Sequence, residues 1–197
     1  MTSAIPTLDP APVDERRRPA VMLMGWDLAP TLCGWAAGDG SRLPIAGAFH
    51  LDEGVELGAL GVEFQNRALS LQRRFQATHW LIEAPLHVPR RNKLIVLRQQ
   101  YGLSFLLATL GVRLGVTCRF VDYDEVKRYW TGDDKAKKDQ MIAMCVKLGI
   151  TLPPTKAAGR ADAADACGVW KVGVRLFARQ HLTRWDQALY RRQGALV

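Results

Sequence analysis

At 197 residues and 21.9 kDa the chain has material for one domain with a single core and little for a second. Its 48% hydrophobic and 23% charged residues exclude a disordered or fibrous polymer. Lysine and arginine total 27 against 19 acids, giving a formal charge of +8 and a pI near 9.6, which points to a polyanionic partner.

Residues 1–20 carry Pro6, Pro10, Pro12 and Pro19 and the triplet Arg16, Arg17 and Arg18. They read as a flexible Pro/Arg-rich N-terminal arm, and the domain proper is expected over residues 21–197. The arm lacks a signal-peptide pattern. Cys33, Cys118, Cys145 and Cys167 are too scattered for zinc or a disulfide framework. No apolar run reaches the roughly 18 residues a bilayer requires, since Arg113 and several glycines break the richest stretch, Ser104 to Val116. The expected compartment is the cytoplasm, with no membrane contact.

Val21 to Trp26 is almost wholly apolar and runs into Asp27, the pattern of a short central strand buried on both faces. Cys33 to Ala37 and Ile45 to His50 follow as two more short strands, completing an antiparallel trio. Leu60, Phe64, Ala68, Leu71 and Phe75 then recur every three or four residues, which is one face of a helix. His79 to Glu83 is a fourth strand, stopped by Pro85. Asn92 to Leu110 reads as a helix apolar on two faces, so it needs two partners. Val116 to Val121 is a fifth strand, and helices follow at Asp134 to Leu148 and Asp162 to Ala178. The order βββαβαβαα implies an α/β fold, a mixed five-stranded sheet with helices on both faces.

Four carboxylates fall where that framework can bring them together. Asp27 ends the first strand, Glu83 ends the fourth, and Asp162 and Asp165 open the last helix, three residues apart and hence on one face. Packed acids repel each other unless cations lie between them. Oxygen ligands with no histidine or cysteine favour Mg²⁺, with Mn²⁺ as a substitute, and two such ions would clamp the attacking water and the leaving oxygen of a phosphodiester. Asp122, Asp124, Asp133 and Asp134 read as loop and cap residues.

Gly25-Trp26-Asp27, Gly34-Trp35-Ala36, Ile82-Glu83, Asp124-Glu125-Val126-Lys127, Thr131-Gly132, Lys138-Asp139-Gln140-Met141 and Ala161-Asp162-Ala163-Ala164-Asp165-Ala166, in that order, resemble the RuvC-type Holliday junction resolvases over roughly residues 21–173. The resemblance implies a ribonuclease H-like fold, a homodimer, two Mg²⁺ ions per site and paired symmetric nicks in four-way DNA junctions. It places Asp27, Glu83, Asp162 and Asp165 as catalytic metal ligands, and Lys127 and Lys138 beside the scissile strand. Lys138 is therefore a fifth candidate catalytic residue. Lys135, Lys137 and Lys138 crowd the expected start of a helix, where the dipole disfavours cations, so a nearby polyanion accounts for them. Arg90 and Arg91 are further candidates for DNA contact. The family's aromatic wedge after the strand-end glutamate is replaced here by Leu86 and His87, which are the candidates for that place. Leu28-Ala29-Pro30 likewise replaces the family's Pro-Gly after the first aspartate.

Two alternatives belong beside this reading. One is a ribonuclease H-like nuclease acting on other branched DNA or on RNA–DNA hybrid; a ribonuclease H proper would draw an acid from the first long helix, where Glu56 and Glu63 stand. The other is a non-catalytic junction-binding module, which leaves the four acids unexplained.

Overall fold

The computed structural model describes residues 21–52, 56–85 and 94–182, so the expected arm at 1–20 and Leu86, His87, Arg90 and Arg91 lie outside the described residues. Its five strands are β1 (Leu23–Asp27), β2 (Leu32–Gly38), β3 (Ile45–His50), β4 (His79–Glu83) and β5 (Thr117–Val121). They form one sheet in the order β3-β2-β1-β4-β5. β1 lies at its centre, antiparallel to β2 and parallel to β4, and the sheet is mixed as expected. β2 pairs antiparallel with β3, and β4 parallel with β5.

Helices cover both faces. On one lie α1 (Leu57–Phe75) and α2 (Leu94–Arg113), whose Leu60, Phe64, Ala68, Leu103 and Leu107 pack on Met24, Trp26, Trp35, Trp80 and Ile82. The rings of Trp26, Phe64 and Trp80 meet edge to face, with centroids 6.4 and 5.8 Å apart, an arrangement that fills volume and satisfies the ring quadrupoles. On the other face lie α3 (Tyr123–Thr131), α4 (Lys138–Leu148) and α5 (Arg160–Phe177), with a 3₁₀ turn at Arg179–His181 after them. Here the sheet offers glycine. A Cβ on Gly25 would collide with the backbone of Ala166 and Trp170, and one on Gly34 with the carbonyl of Asp162, so bare backbone is what lets α5 lie directly on β1 and β2. Trp170 Nε1 then donates to Gly38 O at 3.0 Å and fixes the far end of the helix.

Two sequence expectations need correction. Residues 123–131, for which the sequence announced no element, form α3, with Asp122 at its N-cap position and Asp124 in its first turn. The helix is short, and the buried Lys127 among Val126, Tyr129 and Trp130 breaks the apolar stripe that would have announced it. The helix expected from Asp134 begins instead at Lys138. Asp133 Oδ1 accepts from Lys135 N–H at 2.9 Å, Asp134 pairs with Arg128 at 3.4 Å, and Gln140 Oε1 accepts from Lys137 N–H at 2.7 Å. The Asp133 bond holds the chain in a turn, and the Gln140 bond caps α4 at Lys137, so the helix starts only at Lys138. The remaining boundaries lie within two or three residues of expectation, and no helix among the described residues is long and apolar enough to cross a membrane.

Candidate active site

β1 and β4 run parallel, with Trp26 opposite Ile82, so the residues that follow, Asp27 and Glu83, close neighbouring strands at the same edge of the sheet. The start of α5 supplies the other two acids. Gly159, at φ 80°, turns the chain into the helix against Ala48 and Leu32, and His50 Nε2 lies 2.7 Å from Ala157 O, fastening the approach loop to the sheet edge. Asp162 and Asp165 then follow within the first two turns, and Asp165 is only 7% exposed.

Asp27 lies close enough to the other three acids to feel their charge, and Asp165 links Glu83 with Asp162. Burial, then the charges of Glu83, Asp165 and Asp162, push Asp27 well above the usual carboxylate range, with Lys138 pulling the other way. Burial and Asp165 raise Glu83 to about 8 against the opposing charges of Lys138 and Lys127. Burial lifts Asp165 to about 6, with Lys138 opposing and Asp162 adding to the rise. In a polypeptide without other duties such a cluster is costly, because ionised carboxylates in a partly desolvated crevice repel each other.

Two lysines offset part of that repulsion. Lys138, the first residue of α4, donates to Asp162 Oδ1 at 3.0 Å and stands 3.7 Å from Asp165 Oδ2. Burial would lower the pKa of its ammonium, but the hydrogen bond and charge of Asp162, with Asp165 and Asp27, raise it overall. Lys127 sits on the inward face of α3, 8% exposed, with Nζ 4.0 Å from the Tyr123 ring centroid. Among the sequence candidates, then, the structure gathers Asp27, Glu83, Asp162, Asp165, Lys138 and Lys127. Lys135 and Lys137 are exposed in the turn before α4, and no ion pair joins them to the four acids among the described residues. Of the two acids offered to a ribonuclease H reading, Glu56 stands at the N-cap position of α1 and Glu63 turns to Asp52 N–H at 3.2 Å and Arg67 at 3.6 Å.

Beside the cluster a cavity of about 460 Å³ is lined by Ala84 and Pro85, which directly follow Glu83, and by Asp122, Tyr123, Asp124, Glu125 and Arg128. Tyr123 was not singled out by the sequence. The signal for it is only its place four residues before Lys127, one helical turn away.

The donor set fits a hard divalent cation: four carboxylates, no sulfur or imidazole, and at Asp27, Glu83 and Asp165 raised proton affinities that a cation would relieve. Among the described residues no three such side chains already close around a single point, and the Lys138 ammonium bridges Asp162 and Asp165. An ion would take over the role that ammonium plays there.

No family model and no curated protein matches the chain. Solved structures do. Thermus thermophilus RuvC is 16% identical with a TM-score of 0.59, covering 88% of this chain and 97% of that one. T. thermophilus RuvC in complex with a Holliday junction substrate is 17% identical with a TM-score of 0.61, covering 88% and 96%. The yeast mitochondrial Holliday junction resolvase Ydc2 is 11% identical with a TM-score of 0.53, covering 83% and 84%. The motifs in the sequence and the architecture of the sheet thus lead to one place: this chain has the ribonuclease H-like fold of the RuvC-type resolvases.

Proposed function

We propose that the protein is a metal-dependent, structure-selective endonuclease that resolves four-way DNA junctions by paired symmetric nicks. The observation that carries this reading is the gathering of Asp27, Glu83, Asp162 and Asp165 with Lys138 and Lys127 at one edge of a sheet whose fold is shared with junction resolvases. The net charge of +8 suits a DNA partner.

In this mechanism the four carboxylates would hold the divalent ions, Mg²⁺ or Mn²⁺, two per site. Bound there, such ions lower the pKa of an attacking water and stabilise the oxygen that leaves phosphorus. The chain's own residues do the rest. Asp27 and Glu83, on rigid strand ends, fix the acids of one wall, while α5 fixes those of the other. Lys138, with its side chain 62% exposed, is free to exchange its bond with Asp162 for a phosphate oxygen and to stabilise charge that develops in the transition state. Lys127 presents a second positive charge from within the protein. Lys135, Lys137, Arg90 and Arg91 are assigned to phosphate contacts away from the chemistry, and Leu86 and His87 to the junction centre.

A homodimer completes the reading, because symmetric nicks need two sites related by a two-fold axis. α2 buries Leu103, Leu107 and Leu110 on the sheet but leaves Phe105 67% and Val112 77% exposed, an outer stripe suited to a second copy.

The test is incubation with Mg²⁺ and labelled four-way junction beside matched duplex and RNA–DNA hybrid. Paired cuts in the junction alone are expected; preferential cutting of hybrid, or tight junction binding without cutting, would favour the alternatives. Single-turnover cleavage by Lys138→Ala, Lys135→Ala and Lys137→Ala separates the lysines. Lys138→Ala should be slowed about tenfold or more, while the other two lose mainly salt-dependent affinity, about one counterion each.

A further inference from the structure

We propose that Tyr123 is a positioning residue: its ring face carries the ammonium of Lys127 and holds that charge inward, toward Glu83 and Asp165. The proposal deepens the junction-cleaving reading and rests on it for its kinetic consequence, but not for its geometry.

Lys127 is buried on α3, yet among the described residues no hydrogen bond or ion pair reaches its ammonium. What meets it is the Tyr123 ring, 4.0 Å from Nζ to the centroid, one helical turn back. A lysine so placed has another option. Asp124 stands three residues before it, a spacing at which helical side chains are neighbours and opposite charges pair. Pairing with Asp124 would draw the charge outward, away from the carboxylates on which it now acts. The Tyr123 ring offers an attractive negative face instead, and a desolvated cation gains more from it than an exposed one.

The cavity beside the cluster sharpens the consequence of losing the ring. The same tyrosine lines that space of about 460 Å³ together with Asp122, Asp124 and Glu125, and Ala84 and Pro85 lead from it straight to Glu83. Glu125 is engaged by Arg175 at 3.2 Å, whereas Asp122 and Asp124 are exposed. With the ring removed, water and these acids compete for the ammonium, and Lys127 turns away from the site. Charge aimed at a reacting phosphate is worth most when held in place beforehand, so rate should fall while affinity for DNA does not.

The experiment is single-turnover cleavage of a prebound four-way junction in Mg²⁺ by Tyr123→Phe, Tyr123→Leu, Tyr123→Gln, Lys127→Ala and the double variant Tyr123→Leu/Lys127→Ala. Tyr123→Phe, which keeps the ring, should stay within about twofold of the parent rate, and Tyr123→Leu and Tyr123→Gln should fall about tenfold with junction affinity unchanged within about twofold. The double variant should be no slower than Lys127→Ala alone. A parent rate in Tyr123→Leu, an equal loss in Tyr123→Phe, or additive losses in the double variant would overturn the proposal. An arm independent of activity is NMR of the metal-free protein. The ε-methylene protons of Lys127 should be displaced upfield by the ring in the parent and in Tyr123→Phe, and released in Tyr123→Leu. Undisplaced protons in the folded parent would sink the geometry itself, whereas displaced protons in a protein that fails to cut junctions would sink only the functional reading.

Discussion

The two faces of the sheet are built by opposite means. Toward α1 and α2 the sheet presents Trp26, Trp35 and Trp80, and large rings fill the gap to the helices. Toward α5 it presents Gly25 and Gly34, so helix backbone rests on strand backbone. The first face excludes water by volume, and its geometry tolerates adjustment among side chains. The second fixes the distance between main chains, and with it the separation of Asp162 and Asp165 from Asp27 and Glu83. The acids lie on the face where position is set by backbone contact, and the outward apolar residues Phe105 and Val112 lie on the face that is set by bulk.

The sharpest way to break this comparison is at the acids themselves. Asp27→Asn, Glu83→Gln, Asp162→Asn and Asp165→Asn should each lower junction cleavage by about a thousandfold or more, equivalent to roughly 4 kcal/mol of barrier, while junction binding survives. Two of these variants cutting at the parent rate would remove the site.

Next come one packing change on each face. Phe64→Ala, on the α1 side, should cost about 3–5 kcal/mol and lower the melting temperature by roughly 6–20 °C, yet leave cleavage of bound junction near the parent rate wherever the variant is folded. Gly25→Ala, on the α5 side, should cost about 1–3 kcal/mol, less than Phe64→Ala, but should lower cleavage because α5 must shift. Melting curves and single-turnover rates on both variants decide it; a Gly25→Ala protein with full activity would show that the close approach does not set the site.

Proton affinity distinguishes the faces too. Glu83 and Asp165 have folded-state values of about 8 and about 6, raised above the values these carboxyls have in the unfolded chain. Their folded forms therefore hold protons more tightly. The associated stability is fully present only below the unfolded-state values of 3.8 and 4.5 and is lost progressively as pH rises through the folded values of about 6 and about 8. Metal-free protein should melt lower at pH 8 than at pH 5.5, and Glu83→Gln should recover roughly 2–8 °C at pH 8, if it relieves about 1–2 kcal/mol of buried charge. Melting scans at the two pH values check this, and an unchanged midpoint in Glu83→Gln would mean that the crevice is already well solvated.

The smallest expected effect on the monomer belongs to the outer face of α2. Phe105→Glu should change monomer stability by no more than about 0.5 kcal/mol, since the side chain is already exposed, yet should shift the sedimentation coefficient from dimer to monomer at micromolar concentration. A parent that sediments as a monomer would end the dimer proposal.

Much of this protein was legible in its residues alone. The apolar run before Asp27, the stripe Leu60, Phe64 and Ala68, and the run HWLIE ending in Glu83 each obey a local period, and each became the element it announced. The spacing of Asp162 and Asp165 likewise fixed that they share a helix face before any contact was known. What stayed hidden was α3, because a buried lysine contradicts the pattern by which buried helices are recognised, and its burial is tolerated only where a ring and distant carboxylates receive the charge. The start of α4 was hidden for a related reason, since Asp133 draws the Lys135 N–H into a turn and the Gln140 side chain caps the helix at Lys137, bonds that helix propensity does not register. Sequence marked the four acids as candidates, the elements that carry them and the order of elements along the chain. Tertiary structure alone decided that Lys138 reaches Asp162 and that Lys127 rests on Tyr123, because periodicity is a property of neighbours along the chain, whereas a shared electrostatic field belongs to groups that only folding brings together.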